Sequence, residues 1–281
     1  MLDLREMLKA GIHFGHRTSR WFPKMRPYIW GAKNKIHLID VSKTAFLLEK
    51  TGKFVKDITA RGGTILWIGT KKPAQAIVKT IALTLSNPYV VHRWIGGTLS
   101  NFEQVKKAIT RLLHLRDVLA KPTIQYTKKE LVTIQKEVER LEKNIGGIIE
   151  LNYPAAIVVV DAKHEQSAVK EASRLGIPVI AMVDTNTDPS GVNFVIPAND
   201  DSPKSIQFVL DYLQKQVEAG STEFKAAESE RRKNDGDKET IMAKLDGEAP
   251  RRHNTERRTP ARAPKPASVP QPSEEAPKKD S

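Results

Sequence analysis

Three unbroken apolar runs, TILWIG at 64–69, AAIVVVD at 155–161 and PVIAMVD at 178–184, constrain most tightly what this chain can fold into. A strand with one face in water alternates polar and apolar residues. A run without polar positions must be covered on both faces. Weaker runs, YVVHRW at 89–94 and NFVIPA at 193–198, join them, with amphipathic segments at roughly 73–86, 164–175 and 202–216 in between. This alternation predicts an α/β fold: a mostly parallel sheet with helices on both faces and right-handed crossovers.

Residues 103–146 interrupt the alternation. Val105, Ala108, Leu112, Leu115 and Leu119 recur at spacings of three and four, and Leu131, Ile134, Val138, Leu141 and Ile145 repeat the pattern after a polar link. Two narrow apolar seams joined by a turn predict an antiparallel helical hairpin, a coiled-coil arm protruding from the core. Core-packing helices would want a wider stripe. After Pro250 the chain is rich in Pro and charge, with one Val as its largest aliphatic side chain. Such a segment cannot bury enough surface to offset its ordering entropy. The expected organisation is a core of residues 1–102 and 147–220, a hairpin of 103–146 and a disordered tail of 221–281. A transient helix is expected at 221–246.

Charge is segregated. The net charge is +16 over residues 1–149, −5 over 150–218 and +2 over 219–281, giving +13 in all. A basic half attracts polyanions and releases their counterions on contact, which points to nucleic acid. The absence of cysteine excludes disulfides, thiolate nucleophiles and cysteine metal sites. No run of about 18 apolar residues occurs, so no membrane span is expected, and the N-terminus does not read as a secretory signal.

The segment HFGHRTSRWFPKMRPYIWGAKNK, 13–35, holds Arg17, Arg20, Lys24, Arg26, Lys33 and Lys35 and no acid, interleaved with Phe14, Trp21, Phe22, Tyr28 and Trp30. Basic side chains contact phosphates, while rings stack on unpaired bases. The bland reading has the aromatics plugging the core and only the charges facing out. Gly69-Thr70-Lys71-Lys72 follows a strand and precedes a helix, a geometry that cradles phosphate. Arg93 lies beside the Gly96-Gly97 turn. Neither GxGxxG nor GxxxxGK[ST] is present, and Ser100 has no evident base partner. Glu165 and Glu171 are expected on a solvated helix face. Asp184, Asp188, Asp200 and Asp201 follow strands and so gather at the carboxyl edge of the sheet, where open α/β sheets bind ligands. With His16 they could hold a structural zinc or magnesium ion. The competing reading is helix capping by Asp200 and Asp201.

A series of segments in order carries a family resemblance. These are LREMLKAGIHFGHRTSRWFPKMRPYIWGAKNKIHLID at 4–40, IGTKKPAQ at 68–75, HRWIGGTLSNF at 92–102, LEKNIGG at 141–147, and PAAIVVVDAKHEQSAVKEASRLGIPVIAMVDTNTDPSGVNFVIPANDDS at 154–202. Over about residues 2–218 the chain resembles the bacterial-type small-subunit ribosomal protein S-two family. The resemblance implies a flavodoxin-like sheet with a protruding helical hairpin and a cytoplasmic, ribosome-bound protein without catalytic activity. It implies partners among small-subunit rRNA and neighbouring ribosomal proteins, including the large mRNA-binding protein S-one, with no membrane and no small-molecule substrate. It implies no required cofactor, but a metal near His16, Asp188, Asp200 and Asp201. On this reading Arg17, Arg20, Trp21, Lys24, Arg26, Lys33, Lys35, Lys71, Lys72 and Arg93 face RNA. The alternatives are a flavodoxin-like nucleotide- or cofactor-binding enzyme and a free RNA chaperone.

Overall fold

A computed structural model describes residues 2–121 and 126–247, with side chains described as far as residue 230. Residues 1–232 form one compact unit. In the N-terminal part, helix α1 (Leu4–Lys9) leads into strands β1 (Phe14–Arg17), β2 (Ile29–Lys33) and β3 (Ile36–Ile39), with a 3₁₀ turn at Pro23–Tyr28 before β2. The three strands make a small antiparallel sheet of order β1-β3-β2. Helix α2 (Val41–Ala60) follows, its first turn capped by the Asp40 carboxylate, which accepts from the Ser42 and Lys43 amides.

The main sheet contains β4 (Ile65–Ile68), β5 (Tyr89–Val90), β6 (Ala156–Val160), β7 (Val179–Val183) and β8 (Phe194–Pro197). All pairings are parallel, in the order β5-β4-β6-β7-β8. Numbered within the sheet this is 2-1-3-4-5, the flavodoxin-like order expected from the resemblance. Strands β4, β6 and β7 are buried at every position, as their apolar runs require. The expected strand at 89–94 is short: only Tyr89 and Val90 pair with β4.

Alternate side chains of each strand enter two cores. Ile65, Trp67, Val158, Val160, Ile180 and Met182 pack with α2, with α3 (Lys72–Thr84) and with α7 (Pro203–Gly247). Leu66, Ile68, Ile157, Val159, Val179 and Ala181 pack with α6 (Gln166–Arg174) and with the near ends of α4 (Phe102–Ala120) and α5 (Lys128–Ile145). Helices α4 and α5 pack on each other, joined by ion pairs Arg111–Glu137 at 2.8 Å and Arg116–Glu142 at 2.6 Å. A capping box at Thr127 and Glu130 starts α5. Along this pair Val105, Ile109, Leu112, Val138 and Ile145 are buried, while Ala108, Leu115, Leu119, Leu131, Ile134 and Leu141 are half-buried. Ile109, outside the expected seam, is also buried and widens the stripe.

Helix α7 carries regular structure well past residue 220, through the transient helix expected at 221–246. It still packs on α2 at Lys56–Glu223, 2.6 Å apart, and Phe224 lies against Gly62. The rest of the expected tail, residues 248–281, lies outside the described residues. None of the described helices is long and apolar enough to cross a membrane.

Candidate functional site

Two regions attract attention: the carboxyl edge of the main sheet and the basic sheet docked beside it. At the carboxyl edge, the segments after β4, β6, β7 and β8 bring Lys71, Asp161, Asp184 and Asp200 together. Lys71 Nζ lies 2.8 Å from Asp200 Oδ1, 2.6 Å from Asp201 Oδ1 and 3.4 Å from Asp161 Oδ2. Burial alone would lower the Lys71 pKa, but the hydrogen bonds to Asp200 and Asp201 outweigh it and hold the ammonium above its ordinary value. Asp200 is almost fully buried. Its burial, with the neighbouring Asp161 and Asp184 charges, overrides the one lysine and pushes its pKa up to about 7. Its second oxygen, Oδ2, has no hydrogen-bond partner among the described residues. Asp200 therefore receives a lysine, whereas the capping reading had it closing the α7 amides.

Asp161 holds a left-handed backbone, φ 64°, and its Oδ1 accepts from the Lys163 and His164 amides. Asp tolerates this conformation because its short side chain bonds locally. His16 Nδ1 lies 2.9 Å from Asp184 Oδ2, and its Nε2 lies 3.5 Å from Asp201 Oδ2. The Asp184 hydrogen bond raises the His16 pKa against the opposing effect of burial. The segment is clamped further by Thr185: its hydroxyl accepts from the His16 amide at 2.9 Å and its carbonyl from the Phe22 amide at 2.8 Å. A Cβ at Gly15 would lie 2.6 Å from Thr185 Cγ2, so this strand approaches closely only because it has glycine here.

Of the expected metal set, His16 and Asp200 converge, together with Asp184; their ligating atoms lie within 4.8 Å of one another. Asp201 borders the group, whereas Asp188 lies elsewhere, half-exposed and 3.5 Å from Lys24. Mixed nitrogen and oxygen donors, an imidazole oriented by a carboxylate and an unpartnered buried carboxylate oxygen fit a zinc-like cation.

Where an open sheet of this order would take a ligand, between β4 and β6, Thr70 and Glu165 bond to each other at the wall of an open pocket that His92, Arg93, Trp94 and His164 also line. Glu165, expected on a solvated face, is 3% exposed and accepts from the Thr70 hydroxyl and, at 3.2 Å, the Thr70 amide. Glu171, expected on the same solvated face, instead binds the glycine turn. Its carboxylate accepts from Trp94 Nε1 at 3.1 Å and from the Gly97, Leu99 and Ser100 amides at 2.9, 3.2 and 3.4 Å. Those bonds outweigh burial and lower its pKa. Ser100 has no base here; its hydroxyl joins the same carboxylate at 3.3 Å. In sequence, the only signal for this anchor was a lone Glu opposite a run of potential amide donors.

In the basic sheet, Arg17, Arg20, Lys24, Arg26, Lys33 and Lys35 are all exposed, as are Lys72 and Arg93. Lys71 is turned inward onto the aspartates. Trp21 is partly exposed and sits 5.5 Å from the His37 ring. Phe22, Tyr28 and Met25 pack into the second core, so the aromatics divide between plugging the core and facing out.

Two comparisons bear on this arrangement. The family model described as "Ribosomal protein S2" matches residues 7–220. The chain is 43% identical over 237 residues to "Small ribosomal subunit protein uS2" of Maridesulfovibrio salexigens, covering 83% of this chain and 92% of the relative. The family match spans the buried lysine–aspartate edge, the Glu171-bound turn and the whole basic sheet alike, and the chain belongs to the ribosomal protein S2 family, structural and non-enzymatic proteins of the small ribosomal subunit.

Proposed function

We propose that the chain binds small-subunit rRNA through the antiparallel sheet of residues 13–39. The observation that carries this is the uniform exposure of its six Lys and Arg side chains, with no acid among residues 13–35. Phosphate contacts supply sequence-independent affinity, and bases are read where they are unpaired. Lys72 and Arg93, exposed on the main domain, extend the basic surface. Neighbouring ribosomal proteins, among them protein S-one, are the chain's protein partners, but residues 150–218 offer them no strongly acidic face, because Asp161, Glu165, Asp184 and Asp200 are buried. Helices α4 and α5 project as an arm, a reading supported by the half-buried seam residues Leu115, Leu119 and Leu131 toward their shared loop. A divalent cation at His16, Asp184 and Asp200 would supply the positive charge this edge lacks and tie β1 to the core, a structural role. Metal analysis, with melting in the presence and absence of chelator, tests that point.

Sedimentation of cell lysate through a sucrose gradient tests the main reading. The chain is expected with small subunits at physiological salt and dissociates as salt rises. Recovery only at the top of the gradient at every salt concentration contradicts it.

A further inference from the structure

Strand β2 pairs with β3 in a register that skips one residue. Ile29 lies opposite Ile39 and Gly31 opposite Leu38, so β2 advances two residues while β3 advances one. The extra residue is Trp30. A bulge leaves its extra residue outside the ladder and re-aims the side chain. Trp30 is accordingly 76% exposed, the highest exposure among the large hydrophobic side chains described. The bulge thus turns the indole outward instead of into either core.

Other features narrow what partner the indole takes. Among the described residues, Trp30 makes no ring or cation–π contact, whereas Trp21 is already occupied by His37. A Cβ at the next residue, Gly31, would meet nothing within 4 Å outside its chain neighbours, so no other element covers the strand there. The strand then turns through Asn34 and Lys35, both left-handed at φ 52° and 61°, a two-residue hairpin that projects Lys33 and Lys35 at its tip. Arg17 pairs across β3 with Ile36, which also faces Lys33, so a three-strand row places the guanidinium and the ammonium on either side of one residue. An exposed ring on a sheet that carries Arg17, Lys33 and Lys35 and no acid complements a chain with flat bases and a negative backbone.

We propose that Trp30 is a stacking platform for an unpaired rRNA base, with Arg17, Lys33 and Lys35 holding the adjoining phosphates. The inference rests on the rRNA reading above and adds which side chain engages a base. Trp21, less exposed, already has the His37 ring 5.5 Å away.

The test uses the full chain and two probes, an oligoadenylate of about 12 nucleotides and an RNA duplex of similar length. Trp30→Leu keeps an apolar side chain and removes the π-face; Trp30→Phe keeps a ring. Trp30→Leu is expected to weaken oligoadenylate binding about tenfold, leave duplex binding and the salt slope unchanged, and melt like the parent. Trp30→Phe is expected to stay within about threefold of the parent. Equal oligoadenylate affinity for Trp30→Leu and the parent, with salt-dependent binding intact, overturns stacking and leaves the rRNA reading standing. Unchanged RNA affinity with reduced entry of Trp30→Leu into small subunits also overturns it, because the indole then docks on protein. Absence of salt-dependent binding of the parent to either probe overturns the rRNA reading itself.

Discussion

Lys71 Nζ lies 2.8 Å from Oδ1 of Asp200, a carboxylate 1% exposed at the carboxyl edge of the sheet. The pair joins the segment after β4 to the segment after β8, and Asp161 and Asp201 close around the same ammonium. Removing one partner of a buried pair strands the other charge. Lys71→Met is expected to destabilise the fold by about 3 kcal/mol. Adding Asp200→Asn should recover at least half of that, read as coupling in a double-mutant cycle by urea denaturation. Additive losses would show that the two side chains do not share one interaction.

The same edge sets a pH dependence. Asp200, with its pKa pushed up to about 7, binds its proton more tightly folded than unfolded, so its ionisation erodes stability as pH rises from the unfolded value near 3.8. His16, whose pKa is raised, contributes stability that is complete below its unfolded value of 6.5 and is lost above it. In chelator, the melting temperature is expected to fall as pH rises through the neutral range. Asp200→Asn should flatten the acidic limb of that fall and His16→Gln the upper limb. Parallel curves for all three proteins would contradict the assignment.

Glu171 offers a second carboxylate test. Glu171→Ala leaves the Trp94 indole and the Gly97, Leu99 and Ser100 amides without their acceptor, and is expected to destabilise by about 2 kcal/mol. The loss should be local: amide exchange quickens at residues 97–100 while β6 and β7 keep their protection. Because the Glu171 pKa is lowered, the stability it adds is present above its unfolded value near 4.5 and is lost as pH falls. Unchanged exchange in the turn would remove Glu171 as its anchor.

The helix pair should show graded sensitivity. Leu112 is fully buried in the middle of α4, whereas Leu119 is half-buried toward the loop. Leu112→Ala is expected to lose about 3 kcal/mol and Leu119→Ala about 1 kcal/mol, measured by chemical denaturation. Equal losses would mean that both ends are packed alike and that the pair does not project.

What the amino-acid order disclosed depended on whether a segment's surroundings showed in its own residues. Strands β4, β6 and β7 are covered on both faces, so their apolar runs stand out. Helix α2 does not: its buried face is Thr44, Leu48, Thr51, Gly52, Val55 and Thr59, too polar and too small for an apolar stripe. The threonine hydroxyls there are satisfied by backbone carbonyls, Thr51 to Leu47 at 2.7 Å and Thr59 to Val55 at 3.0 Å, and Gly52 admits the Tyr212 ring. The aspartates at the carboxyl edge were legible because they end strands. Lys71 read as a phosphate ligand because its three carboxylate partners are distant in sequence. Glu165 and Glu171 read as solvated for the same reason. Asp188 resembled the other aspartates in the chain but belongs to a loop that reaches Lys24 instead. The bulge at Trp30 depends on pairing with β3 and has no local signature.

The central claim is that the sheet of residues 13–39 carries the phosphate contacts. The direct measurement is the salt dependence of binding to small-subunit rRNA, for the parent and for a variant with Arg17, Arg20, Arg26 and Lys35 changed to Gln. Each phosphate left without its cation should reduce the slope of log affinity against log salt by about one, so the variant's slope is expected to be smaller by up to about four, with an unchanged melting temperature because exposed charges contribute little to stability. An unchanged slope, with rRNA affinity retained, would place the phosphate-binding cations on another face and contradict the account.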